Sequence, residues 1–178
     1  MSSDSAAAAR LAKHIRDIPD FPRPGILFKD ITPLLQEPES LRLACDSMAK
    51  PFAKRKIDVV VGIESRGFIF GVPVALALGA GFSLARKQGK LPYETRRESY
   101  QLEYGSAEIE MHSDAVRPGQ RVLVIDDVIA TGGTAAATAR LVRALGGEVV
   151  AASFLIELAF LDGRKALDGV PIEAVLRF

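Results

Sequence analysis

The chain is poor in the features that mark several large classes of protein. It has one cysteine, Cys45, in 178 residues, so it can form no internal disulfide, and a cytoplasmic setting is the natural expectation. Its two histidines, His14 and His112, are isolated, and without a Cys/His cluster a zinc site is not expected. No apolar run approaches the ~18 residues of a membrane span. Residues 1–9 are small and polar, unlike the apolar core of a secretory signal. The net charge of +1 gives no case for general nucleic-acid binding through phosphate neutralisation. No Gly-x-x-x-x-Gly-Lys-[Ser/Thr] occurs, which excludes a P-loop NTPase, and no Gly-x-Gly-x-x-Gly follows a strand, which argues against a dinucleotide enzyme.

What remains is an ordinary globular composition, 48% hydrophobic and 25% charged, and enough chain for one domain over 1–178. Helical patterns cover 5–17, 39–54, 67–78 and 135–145. Cys45 falls on the second of these with Leu41, Met48 and Phe52, a core position. Strand-like runs cover 57–61, 81–85, 122–125, 148–156 and 172–176, with a short extended segment at 25–30, a turn at 31–33 and a proline-punctuated loop at 20–24. The runs 100–104 and 107–111, separated by Gly105-Ser106, read as a hairpin. Alternating strands and helices predict an α/β fold, a mostly parallel twisted sheet with helices on both faces.

The most informative stretch is Val122-Leu123-Val124-Ile125-Asp126-Asp127-Val128-Ile129-Ala130-Thr131-Gly132-Gly133-Thr134. Four apolar residues suit a strand buried on both faces. Two carboxylates follow, then a small-residue turn, then a helix. Such a turn is an anion site. Gly132 and Gly133 let the backbone approach a bulky group, and the first N–H groups of the helix point at it with the dipole behind them. Thr131 and Thr134 add hydroxyl donors. Asp126 and Asp127 would repel a phosphate, but they are good acceptors for a vicinal diol. Phosphate on Ala130 to Thr134 and diol on the aspartates together describe a ribose 5-phosphate.

Two further regions can face the same sheet edge. Arg66, in Glu64-Ser65-Arg66-Gly67, follows the strand at 57–61 and lies near a helix start, where the dipole disfavours a cation unless an anion offsets it. Arg86, Lys87, Lys90, Arg96 and Arg97 form a basic cluster on an otherwise balanced chain. Such a run is usually a solvated loop. Beside a polyphosphate it could close over the site, supply positive charge and exclude water.

The stretch 122–134 resembles the 5-phosphoribosyl 1-pyrophosphate (PRPP) motif of the type I phosphoribosyltransferases. The runs Arg86-Lys87-x-Gly89-Lys90-Leu91-Pro92, Tyr100-x-Leu102-Glu103-Tyr104-Gly105 and Pro19-Asp20-Phe21-Pro22-x-Pro24-Gly25-x-x-Phe28-x-Asp30-Ile31-x-Pro33 resemble, more narrowly, the branch of that family that takes adenine. The resemblance covers nearly the whole chain from about residue 15. It implies a reaction of adenine with PRPP to give AMP and pyrophosphate. Pyrophosphate would lie against Arg66, Arg86, Lys87 and Lys90, in a loop where the Glu64–Ser65 peptide is the candidate for a cis bond. Adenine would be held by a hood, residues 1–35: Phe28 stacking, the Leu27 backbone reading the base edge, and Lys29 where the family often has arginine. Residues 86–111 would be a mobile flap, with Glu103 handling a proton at the base or stabilising the transition state and Tyr104 ordering the closed form. Magnesium is implied on substrate oxygens and water, with no protein ligand, and a homodimer is implied as the assembly. The competing readings are a phosphoribosyltransferase for another purine and a non-catalytic PRPP-sensing regulator. A regulator usually needs an added nucleic-acid-binding element, and the chain has no helix-turn-helix extension.

Overall fold

A computed structural model describes residues 3–101 and 106–178. The chain forms two compact units, Met1–Ser47 and Met48–Phe178. The first contains α1 (Ser3–Ala12), β1 (Arg16–Pro19), β2 (Leu27–Asp30), α2 (Thr32–Gln36) and most of α3 (Pro38–Ala49). The first helix is shorter than its alanine-rich sequence suggests. Arg16 instead opens β1, paired antiparallel with β2 so that it lies opposite Asp30. Its guanidinium reaches the Asp30 carboxylate at 2.6 Å, and the Thr32 N–H donates to the same side chain at 2.9 Å. The Thr32 N–H is the main influence holding the Asp30 carboxyl below its usual range. The turn expected at 31–33 is the start of α2, with Pro33 in the first turn, where a missing N–H is harmless. Leu11, Ile31, Leu34, Ala44 and Cys45 are buried. Burial pushes the Cys45 thiol up to about 11, as expected for an inert core cysteine.

The larger unit contains β3 (Val59–Ile63), α4 (Gly67–Leu78), β4 (Gly81–Lys87), β5 (Thr95–Gln101), β6 (Ser106–His112), β7 (Arg121–Ile129), α5 (Gly133–Ala144), β8 (Glu148–Glu157) and β9 (Ile172–Arg177). Its strands form one sheet in the order β5-β6-β4-β3-β7-β8-β9. The five strands from β4 to β9 run parallel, while β6 is antiparallel to both β4 and β5. The apolar runs of β3 and β8 are buried almost without break, as strands covered on both faces must be. Helix α5 packs with Val59, Val61, Val122 and Val124. The other face carries Gly62, whose missing side chain makes room for Phe68 of α4 and for Phe82.

Several boundaries differ from those the sequence suggests. The helix expected over 39–54 ends at Ala49 and tightens into a 3₁₀ turn at Lys50–Phe52, where Pro51 cannot continue an α-helix. Strand β3 lies two residues later than expected. Strand β7 runs on to Ile129, so Asp126 and Asp127 belong to the strand rather than following it. The hairpin is present, but β5 starts at Thr95, and Ser106, expected in the turn, is already paired with Gln101. Leu102, Glu103, Tyr104 and Gly105 lie outside the described residues. Among those described, no helix is long and apolar enough to cross a membrane.

Candidate active site

Strand order reverses between β3 and β7. The β3–α4–β4 unit steps toward one edge of the sheet and β7–α5–β8 toward the other. At such a switch point the connections leave in opposite directions and a crevice opens at the carboxyl ends of the strands. The two strands are in parallel register from Val59↔Val122 to Gly62↔Ile125, so Glu64 and Asp126 emerge at the same edge. A cleft of about 520 Å³ lies there, lined by Glu64, Ser65, Arg66, Lys87 and residues 126–135.

The turn Ala130-Thr131-Gly132-Gly133-Thr134 forms one wall. Gly132 is the N-cap of α5 with φ +80°, which a side chain disfavours. A Cβ there would run into the Gly163 carbonyl oxygen, and a Cβ on Gly163 would run into that of Ala130. The turn is therefore braced by a second loop, which the local sequence did not reveal. That loop is anchored by Arg164, whose Nε and Nη2 donate to the two oxygens of buried Glu157 at 2.8 Å each, while Nη1 donates to the Ile172 carbonyl at 2.9 Å. Arg164 holds the Glu157 carboxyl below its usual range. A depressed folded-state value gives stability that is present above the ordinary glutamate pKa of ~4.3 and lost as pH falls through the folded value. Glu157→Gln is therefore expected to lower stability by about 1–2 kcal/mol at pH 7 and to flatten the acid limb of thermal melts between pH 3 and 7. An acid limb as steep as wild type would contradict this.

Asp126 and Asp127 line the cleft together. The Asp127 N–H donates to Asp126 Oδ1 at 2.8 Å, and Asp127 itself is 4% exposed. Burial, reinforced by the neighbouring Asp127 charge, raises the Asp126 carboxyl well above its usual range. Burial also raises Asp127, and Arg66 works against it. The first residue of α4, Gly67, stands so close to Ile125 and Asp126 that a Cβ would lie 2.7 Å from the Ile125 carbonyl oxygen. Arg66 is the N-cap of α4, and its Nε reaches Asp127 Oδ2 at 2.8 Å. The anion that offsets the helix dipole at Arg66 is thus a protein carboxylate. The Glu64–Ser65 peptide in this loop is cis.

The basic residues divide. Arg66 and Lys87 line the cleft. Arg86 and Lys90 instead meet the mostly buried Glu64: Arg86 Nε lies 3.1 Å from Oε2, and Lys90 Nζ bonds Oε1. The Lys87 backbone N–H donates to the same carboxylate at 3.1 Å. Burial pushes the Glu64 carboxyl up, but Lys90, the Lys87 N–H and Arg86 together outweigh it and hold it low. Glu64 thus anchors the basic stretch, a role that only tertiary contact reveals. Arg97 reaches Glu110 at 3.3 Å. In the N-terminal unit, Phe28 packs edge-on against Phe21 at 5.2 Å, Lys29 Nζ bonds Asp17 at 2.7 Å, and Leu27 is 46% exposed. Glu103 and Tyr104 lie outside the described residues.

A parallel sheet with a glycine turn and an acid pair at its switch point defines a class, and comparison agrees on the family. Residues 31–171 match the phosphoribosyl transferase domain, and the chain belongs to that family of transferases. Within it, the chain groups with the adenine phosphoribosyltransferases. It is 55% identical to the adenine phosphoribosyltransferase of Thermobifida fusca over 98% of both chains. The crystal structure of the Rhodothermus marinus enzyme of that name is 59% identical, covers 98% of this chain and 99% of its own, and superposes with a TM-score of 0.93. The Saccharomyces cerevisiae enzyme, solved with adenine and an imino-altritol bisphosphate, is 41% identical over 97% of this chain and 99% of its own, with a TM-score of 0.91.

Proposed function

We propose that this enzyme salvages a purine, transferring the phosphoribosyl group of PRPP to N9 of adenine and releasing AMP and pyrophosphate. The observation that carries this reading is the cleft at the switch point, with an anion-binding turn at a helix start and two carboxylates beside it. The choice of adenine rests on relatives matched end to end.

In the reaction the bond from C1 of the ribose to the leaving pyrophosphate oxygen breaks and a bond from C1 to N9 forms, through a transition state with oxocarbenium character. The chain's task is positioning and charge stabilisation. The turn Ala130 to Thr134 holds the 5-phosphate through the open N–H groups of α5. Asp126 and Asp127 accept hydrogen bonds from the ribose diol, and their charge favours the developing cation. Lys87 and Arg66 meet the pyrophosphate. A guanidinium carries five N–H donors, and the Nε bond to Asp127 keeps the Arg66 fork at the cleft. Arg86 and Lys90, paired with Glu64, add positive charge behind Lys87.

Base recognition is assigned to the N-terminal residues 1–35, with Phe28 stacking, Lys29 beside it and the Leu27 carbonyl accepting from the 6-amino group. Pro19, opposite Leu27 in the ladder, has no N–H to give that carbonyl. The flap, residues 86–111, carries Glu103 for proton handling at the base or transition-state stabilisation, and Tyr104 to order its closed form.

Magnesium, bound to substrate oxygens and water, would neutralise charge on the leaving group. Among the described residues no group of three or more His, Cys, Asp or Glu could cage a metal. A homodimer and a cytoplasmic location complete the reading. The dimer is supported by α4, which is apolar on every side and leaves Ile69, Val72 and Leu76 exposed.

The test is AMP formation from adenine and PRPP with magnesium, in wild type and in Glu103→Ala. Wild type should turn over, and the variant should lose about 10²-fold or more in kcat. Tight PRPP binding without turnover on any purine would refute the assignment.

A further inference from the structure

We propose that Glu110 is a positioning residue for phosphoribosyl transfer: from beneath the turn at residues 87–91 it fixes the backbone that presents Lys87 to the cleft. Glu110 lies on β6 opposite Arg86 of β4 and is 1% exposed. A carboxylate so placed works against an anion site unless its geometry serves another purpose. Its oxygens divide between two tasks. Oε1 accepts the backbone N–H groups of Lys90 at 3.1 Å and Leu91 at 3.2 Å. Oε2 meets the Thr95 hydroxyl at 3.4 Å and Arg97 Nε at 3.3 Å.

The rest of the turn is held from other directions. Gly89 turns the chain at φ +81°. The Lys87 N–H goes to Glu64, the Gln88 N–H to the Glu108 carbonyl, and Arg86 Nη1 to the Lys90 carbonyl. Glu64 thus fixes the outgoing limb and Glu110 the returning one. Without Glu110 two inward-facing N–H groups lose their acceptor, and the turn must open to find another. Lys87, at the head of that turn, moves with it. The inference rests on the reading of Lys87 as a pyrophosphate ligand.

Steady-state kinetics, with PRPP and adenine varied in turn, should compare wild type, Lys87→Ala, Glu110→Ala, Glu110→Gln and the double alanine variant. Glu110→Ala is expected to raise KM for PRPP about tenfold and leave KM for adenine within about twofold. Glu110→Gln should stay near wild type, because its amide oxygen can occupy the Oε1 position and half-exposed Arg97 can turn away. In the Lys87→Ala background, Glu110→Ala should add nothing to KM for PRPP. Equal rises in both KM values with a lowered Tm, or full additivity with Lys87→Ala, would overturn the proposal. An unchanged KM for PRPP in Lys87→Ala would overturn the reading of Lys87 as well. Failure of the inference alone is distinct: Lys87→Ala raises KM for PRPP and Glu110→Ala does not. Amide exchange on the wild type checks the same point without a variant. Slow exchange at Lys90 and Leu91 is expected, and exchange at the rate of an open turn would contradict it.

Discussion

Replacing Asp126 and Asp127 together by asparagine is expected to lower kcat/KM for PRPP by about 10²–10³-fold, the loss of two charged acceptors worth ~1.5–3 kcal/mol each, partly offset by the amide oxygens. The effect should fall on PRPP far more than on adenine. The single change Asp126→Asn carries a second expectation of opposite sign. Burial, with the Asp127 charge beside it, raises the Asp126 carboxyl well above its usual range. The folded protein therefore binds that proton more tightly than the unfolded chain does. Stability falls as pH rises from the ordinary aspartate value of ~3.9 through the folded value, and the full penalty stands above it. Asp126→Asn should thus raise the melting temperature at neutral pH while impairing catalysis, and the stability gain should vanish as pH falls toward the ordinary carboxylate range. Thermal melts across that range, paired with kinetics, would check both. A variant less stable than wild type at pH 7 would show that Asp126 is a structural carboxylate rather than one held in readiness for substrate.

The second large effect belongs to the turn proposed to hold the 5-phosphate. Gly132→Ala places a Cβ at φ +80° against the Gly163 carbonyl, with Ala166 3.0 Å away. Two loops must part, and the N–H groups of α5 move from the position proposed for the 5-phosphate. A displacement of this kind, about 1 Å, is enough for a loss of roughly 10²-fold. The expected signature is a raised KM for PRPP with KM for adenine little changed. Gly163→Ala should reproduce it from the other side of the interlock, although Gly163 lies outside the turn itself. Normal PRPP kinetics in both variants would mean that the 5-phosphate binds elsewhere.

How much of this was legible in the sequence follows from how local each interaction is. The alternation of apolar runs and helical patterns carried the α/β class, because periodicity reports the faces an element buries. The glycine turn and the acid pair that line the cleft were legible because one continuous stretch holds them. Boundaries were less so. Arg16 sits in a strand because its partner Asp30 is fourteen residues away, and no window around either shows the pairing. Glu64 and Glu110 read as ordinary carboxylates on or after strands, and only the sheet brings them under the basic turn. Gly163 is one glycine among 15 until β8 delivers its loop to Ala130. The separation of Arg66 and Lys87, which line the cleft, from Arg86 and Lys90, which meet Glu64, also depends on side-chain directions that composition does not carry.

The central claim is adenine-specific phosphoribosyl transfer, and its most direct test is kcat/KM for adenine beside hypoxanthine and guanine at fixed PRPP and magnesium. A backbone carbonyl facing the 6-amino group is left without a donor when the base carries an oxygen there, a penalty of roughly 1–3 kcal/mol. Adenine should therefore be preferred by at least about ten- to a hundred-fold, with AMP and pyrophosphate formed in equal amounts. Turnover of hypoxanthine or guanine at the rate of adenine would contradict the account.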